Sequence, residues 1–586
     1  MVMLKLYLGL SVCSILIIVT FNLIVLRRTG MYFVDIPQFF GSLTFMYYVS
    51  YYTCLALICI LILFKGAKSK RFHHILFLLL LFTFLLEMPR FIYTCPIQLE
   101  SDHPAQTFYI LKHGNIENLI GHVESPGNAI FWAIFTTITS FDPLSVIAFF
   151  APLWLSLAVV LSLVVIARSF SRNLMIITSI VFLYFVAPDL SFAARYPFAN
   201  IPYILSIGCL IGFPQSRRST LGAKLLALLV IPATVISHPA HGVLLVLTII
   251  SIAILTFFAR KLKNNDVVQT SNRDTSTSIT LAIYSLVIFL FWQMEIALSN
   301  FRSWINAVNS VINSIVRGLF EPKLIEGSYK YVVKPTYDLI LKLRMGEMLV
   351  VNTFAVVVIF IFFLCIVREK FRRNYHFALT LGVIGGYLLH AFIVLIGLFG
   401  GFWSLRPICI LIIYIAIVIP FLIVHSPQRR MQRCLTSSFF IVALLFASLS
   451  IYTIWGGQVN SLQVSDGEAK LVEFVSHTIP YGQHIGRMGF FKVNIDYLPL
   501  IFAGREDLRF YWGAEVTSDN WLNITDIKVA YILVNPSIER FEAKYVFYPG
   551  LSERVRILCN MLTENFNFSV VYSSGTCKLL YKNTQA

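Results

Sequence analysis

With 586 residues, 58% of them hydrophobic and 13% charged, and a mean hydropathy of +0.77, the chain carries more apolar surface than a soluble core can absorb. That excludes an ordinary soluble globular protein and makes the bilayer the main solvent. Nor does the formal charge of +17 require nucleic acid, because six short loops at 65–74, 168–173, 214–224, 260–278, 368–376 and 426–434 hold 20 Lys or Arg against three acids, a net +17.

A helix needs about 20 apolar residues to cross about 30 Å of hydrocarbon, and only a helix satisfies its own backbone there. Windows of that kind predict about thirteen spans, at 4–26, 42–64, 75–94, 143–167, 174–187, 199–213, 222–237, 242–259, 279–299, 348–367, 377–399, 406–425 and 435–455. The first has Lys5 ahead of an apolar run, as a signal peptide does, but its length and the lack of a small-residue cleavage site favour a retained helix. The positive-inside rule puts the basic loops in the cytoplasm and the alternate loops and C-terminal region outside. Arg27, Arg28 and the seven basic residues of the outer loop 300–347 run against it.

Along this stretch, Tyr47, Tyr48, Tyr51 and Tyr52 read as an interfacial aromatic belt, and Glu87 and Arg90, three apart, as a neutralising pair on one helix. The outer loop 95–128 contains Glu100-Ser101-Asp102-His103-Pro104, then Ala105, Phe108, Tyr109 and Leu111 at the spacing of an interfacial amphipathic helix that Gly114 stops. The apolar segment 128–141 is too short to cross and predicts a helix lying at the outer surface or re-entering.

The composition changes after Trp455-Gly456-Gly457. From there to Ala586 there are twelve basic and thirteen acidic residues, a soluble balance that predicts a small α/β or α+β domain over 456–586, following the bundle of 1–455. Within it, 529–534 reads as a buried strand, and 568–572 with 578–581 as a hairpin. Most of the ten cysteines lie inside spans as small hydrophobes, whereas Cys559 and Cys577 can pair in an oxidising compartment. Sequons stand at Asn523 and Asn567.

The acidic Glu100-Ser101-Asp102 after a spanning helix, the helix through Tyr109 closed by Gly114, the Ser125-Pro126-Gly127 turn and the terminal Val570–Gly575 hairpin resemble the GT-C superfamily of membrane glycosyltransferases. The resemblance implies an all-α polytopic bundle with an extracytoplasmic C-terminal domain. It also implies inverting transfer of a sugar from a polyprenyl-phosphate donor to an envelope acceptor. The chemistry asks for a carboxylate to take the acceptor proton and cations to hold the phosphate. Asp102 is the candidate base, and Glu100 beside it can share its proton or, with Asp102, bind a divalent cation such as Mg or Mn. The bland reading is a solvated acidic loop with Asp102 as helix cap.

By the same resemblance Asp189, in Pro188–Pro197, is the second acid, holding a metal or orienting the acceptor, and Arg195 grips the phosphate; a mutual Asp189–Arg195 surface pair fits the same residues. His238 and His241, in Ser237-His238-Pro239-Ala240-His241, can ligate a metal or bond the phosphate, or form a polar turn. Arg406, opening a late span, is a further phosphate ligand unless it snorkels to the headgroups. Glu295, near the end of its span, needs a partner, for which Arg302 is the candidate. The rival functions are a transporter or lipid flippase, which would show ionisable residues near mid-membrane, and a silent scaffold.

Overall fold

The computed structural model describes residues 45–65, 72–89, 102–116, 126–141, 143, 146, 150–171, 173–185, 195–211, 217–261, 268–296, 353, 381–389, 419, 423, 429–458, 466–489, 499, 503, 505, 508–512, 530–535, 557, 560–564, 568–574 and 577–582. The expected spans at 4–26 and, but for one and two positions respectively, 348–367 and 406–425 lie outside them.

The helices are α1 (Phe45–Lys65), α2 (Phe72–Glu87), α3 (Asp102–His113), α4 (Gly127–Thr139), α5 (Ala151–Phe170), α6 (Leu174–Tyr184), α7 (Arg195–Ile211), α8 (Arg217–Ser237), α9 (Pro239–Lys261), α10 (Val268–Glu295), α11 (Arg429–Gln458) and α12 (Asp466–Thr478). Three carry windows long and apolar enough to cross a membrane, Phe45–Leu63, Ala151–Arg168 and Arg429–Tyr452, and shorter apolar helices stand beside them. This is a membrane protein.

Two contacts show that α2 and α5 run antiparallel. At one end, here the upper end, the Ser156 hydroxyl donates to the Glu87 carboxylate at 2.6 Å. At the lower end the Arg168 guanidinium lies 4.0 Å over the Phe72 ring. The expected partner of Glu87, Arg90, lies outside the described residues.

The main core gathers side chains from α1, α2, α5 to α11 and the helical segment 381–389. Its centre is α6, in which all residues but Met175 are buried. With apolar residues on every side, this helix has no polar face to offer solvent and must sit inside the bundle. The Asn173 side chain caps it, accepting from the Met175 N–H at 3.0 Å.

Two of the four tyrosines expected in the interfacial belt sit elsewhere. Tyr47 and Tyr51 are buried, 1% and 0% exposed, because their one-turn spacing puts them with Cys54 and Ile58 on the inner face of α1. Each hydroxyl finds a carbonyl inside the bundle: Tyr47 donates to Leu85 of α2 at 2.8 Å, and Tyr51 donates to Ala447 of α11. Tyr52 alone among the four is exposed, and Tyr48 stacks on Tyr452.

The helical segment 381–389 meets α9 through glycine. A Cβ on Gly382 would lie 2.6 Å from the Ile252 Cα, and one on Gly386 would lie 2.4 Å from the Thr248 Cα. Gly-x-x-x-Gly therefore forms a face where two helix backbones touch, as small residues permit in lipid.

Among the described residues of the C-terminal region five strands, β1 (His484–Gly489), β2 (Arg509–Trp512), β3 (Tyr531–Asn535), β4 (Phe568–Ser574) and β5 (Cys577–Lys582), form one mixed sheet in the order β2-β1-β3-β5-β4. The β1 strand pairs parallel with β2 and β3, and β5 antiparallel with β3 and β4. Helix α12 packs on the β4–β5 hairpin, with Phe474 stacked on Tyr572 at 4.0 Å. Arg505, 5% exposed, caps its last turn by donating to the carbonyls of Ser476 at 3.1 Å and Ile479 at 2.9 Å. Cys559, Asn523 and Asn567 fall outside the described residues.

Candidate functional site

The upper end of the bundle is assembled from α3, α4, the start of α7 and the α8–α9 turn. Asp102 and Arg195 are the first residues of α3 and α7. Glu100, Asp189 and Arg406 lie outside the described residues.

Asp102 opens α3 as its first helical residue, and the helix ends where expected: Gly114 takes φ +70° and its N–H donates to the Ile110 carbonyl at 2.8 Å. The buried face differs from the expected apolar stripe. It comprises Ala105, Gln106, Thr107 and Tyr109, with Phe108 and Leu111 only half-buried. The reason is tertiary: α3 packs on α4, a protein neighbour that takes polar side chains as hydrocarbon cannot.

Helix α4 binds this region together. Its first residue, Gly127, lies against the end of α8, where a Cβ would meet the Ser237 Oγ at 3.0 Å. Asn128, buried, accepts from the Trp132 indole N–H at 2.8 Å. Trp132 then enters an aromatic cluster with Phe131, Phe135, Phe150, Trp154 and Phe198, which holds α4 against α5 and α7.

Between α8 and α9 stands one residue, His238. Its N–H donates back to Thr234 at 3.4 Å, and its carbonyl accepts from Gly242 at 3.1 Å, so it ends one helix and begins the next. Pro239 follows at the first helical position, where the missing N–H costs nothing. His238 and His241 are 1% and 0% exposed, their rings 5.2 Å apart and nearly perpendicular. The His241 Nε2 lies 2.8 Å from the Asn200 Oδ1; the carbonyl oxygen accepts, so Nε2 carries the hydrogen.

That contact is the upper end of a polar seam. Asn200, Tyr203 and Ser206, three apart on α7, meet His241, Thr248 and Thr234: the Tyr203 hydroxyl lies 3.5 Å from Thr248 and the Ser206 hydroxyl 3.4 Å from Thr234. Neither Asn200 nor this seam is among the residues expected from sequence, although polar residues at one-face spacing in an apolar span are the signal that finds it. Gly382-x-x-x-Gly386 is a second signal of that kind. Glu295 is exposed at the end of α10, and Arg302 lies outside the described residues.

The buried charged side chains among the described residues of the bundle are few. Glu87 stands at the upper end of α2, and no described Lys, Arg, Asp or Glu is buried at mid-bundle. No group of three potential metal ligands occurs among the described residues; the carboxylates at 100 and 189 are not among them.

No family model and no curated protein matches the chain. Among solved structures it is similar to the archaeal oligosaccharyltransferase AglB from Archaeoglobus fulgidus, in complex with an inhibitory peptide and a dolichol-phosphate, at 12% identity and a TM-score of 0.47, over 88% of this chain and 75% of that one. It is also similar to ArnT from Cupriavidus metallidurans bound to undecaprenyl phosphate, at 9% identity and a TM-score of 0.40, over 87% of this chain and 98% of that one. For ArnT in the apo state the values are 10% and 0.39 over the same shares. Identities this low transfer no residue assignment.

Proposed function

We propose that this protein is a multi-pass membrane glycosyltransferase that moves one sugar from a polyprenyl-phosphate donor to an envelope acceptor on the extracytoplasmic face, with inversion. The observation that carries the reading is where the polar chemistry gathers. The helix opened by Asp102 packs on α4, whose first residue lies against Ser237 beside the His238–His241 turn, and α7, opened by Arg195, delivers Asn200 to the same turn. Acid, base and cation candidates thus share one end of an otherwise apolar bundle, the depth at which a lipid phosphate meets the bilayer surface.

Asp102 takes the proton of the acceptor hydroxyl as that oxygen attacks the anomeric carbon. The glycosyl–phosphate bond breaks, and the electron pair leaves with the lipid phosphate. Arg195 and Arg406 neutralise the charge that develops on that phosphate, with His238 and, in its doubly protonated form, His241 as further donors to it. Glu100 and Asp189 orient the acceptor, or with Asp102 supply oxygen ligands for a Mg or Mn ion. The C-terminal sheet region lies outside the membrane. A transporter is disfavoured because the described part of the bundle buries no charge at mid-depth.

Asp102→Asn tests this. Purified and shown by its thermal midpoint to be folded, the variant is expected to lose about 10²–10⁴-fold in transfer from radiolabelled polyprenyl-phosphate sugars. Full activity in that variant removes the assignment.

A further inference from the structure

We propose that Asn200 contacts the ligand directly, its side-chain N–H donating to a phosphate oxygen of the lipid donor while its carbonyl oxygen fixes the neighbouring imidazole. The inference rests on the phosphate-binding reading above and adds to it a residue that the acidic and basic motifs leave out.

Asn200 is 1% exposed. Its Oδ1 is engaged by the His241 Nε2–H at 2.8 Å, whereas its Nδ2 has no partner among the described residues. Leaving a buried amide donor unmatched costs about 1–3 kcal/mol, which an incoming acceptor recovers. With the carbonyl oxygen on the Nε2–H, the amide nitrogen is the atom of this side chain left over. The donor therefore points away from the imidazole, at the end of the bundle where α4, α7 and the α8–α9 turn meet.

The class of ligand follows from the surroundings. The rings against His241, those of Tyr203 and His238, carry no negative charge, so neither opposes an anionic oxygen. With the pair removed from water, a hydrogen bond to an anion is stronger than the same bond at the surface. A phosphate oxygen satisfies all of these conditions.

The experiment compares undecaprenyl phosphate with undecaprenol, the same chain without the phosphate, binding to the full-length protein in nanodiscs. Asn200→Asp keeps an oxygen for the His241 Nε2–H and replaces the N–H with an anionic oxygen. Its preference for the phosphate over the alcohol should fall by about tenfold or more, with affinity for the alcohol unchanged. A role confined to holding helices together predicts equal changes for both lipids, or none, and either result overturns the proposal. Should Asn200→Asp fail to fold, Asn200→Ser, too short to reach with a donor, carries the same expectation, and retained preference in it overturns the proposal as well. Wild-type protein without any preference removes the functional reading along with it, whereas wild-type preference kept in the variants removes this inference alone. Competition by inorganic phosphate that is lost in the variants supports the contact and assigns it to a free anion instead of a headgroup.

Discussion

The two halves of the bundle hold themselves together by different means. Around α1, α2, α6 and α11 the contacts are bulky and apolar: Phe82 lies 5.2 Å from Phe182 and 5.3 Å from Tyr51, and the Tyr47, Tyr51 and Thr83 hydroxyls donate to helix carbonyls. Around α7, α8, α9 and the segment 381–389, helices meet through glycine and through side-chain polar pairs between helices. Lipid offers apolar side chains as good a home as a neighbouring helix does, so association in a bilayer depends on packing quality, close approach and polar pairing. The first half uses volume. The second half uses directionality, which fixes rotation and register as well as contact, and it is there that the histidines of the candidate site are placed.

The contrast can be broken most forcefully in the apolar half. Phe82→Ala removes a fully buried ring and should cost about 3–5 kcal/mol, read as denaturant unfolding in detergent, while the activity per folded molecule stays at the wild-type level. A specific loss of activity there would show that the halves are not separable.

Gly386→Val should cost about 3 kcal/mol, because its side chain would occupy the place of the Thr248 backbone and must push α9 away. Unlike Phe82→Ala, it should also lower activity per folded molecule, since α9 carries His241. Wild-type activity in this variant would detach the glycine contact from the site.

At the junction of the halves, Glu87→Ala strands the buried Ser156 hydroxyl and should destabilise by about 2 kcal/mol, whereas Glu87→Gln, which still offers an oxygen, should lose less than half of that by the same measurement. Equal losses in the two variants would assign the contact to charge instead of to the hydrogen bond.

The smallest effect sharpens the picture of the seam. Tyr203→Phe deletes the long, 3.5 Å contact with Thr248 and should cost about 0.6 kcal/mol, within the usual range for polar pairs between membrane helices. A loss several times larger would mean that the seam acts as one coupled network.

Much of the architecture was legible because it depends on local sums. Apolar windows marked α1, α5 and α11, Gly114 marked the end of α3, and strand-like runs at 529–534, 568–572 and 578–581 marked β3, β4 and β5. Tyr47 and Tyr51 of α1 were misplaced because an aromatic near a span end serves equally well at a lipid surface or against a carbonyl of another helix, and only the position of α2 and α11 decides between them. Asn200 escaped notice for a similar reason. One amide in an apolar span has no visible meaning until the residue opposite it, 41 positions later in the chain, is known to be His241.

Hydropathy and charge spacing, which are properties of consecutive residues, were enough to determine that this chain is a membrane protein of many apolar helices with a sheet-forming region after them. Which faces of those helices touch was decided only by tertiary structure: that α6 lies at the centre, that Gly386 meets Thr248, that Glu87 takes Ser156 and that Asn200 takes His241. The physical reason is that burial of apolar surface is non-directional and can be summed along the chain, whereas hydrogen bonds and close backbone contacts exist only between particular atoms brought together from distant segments.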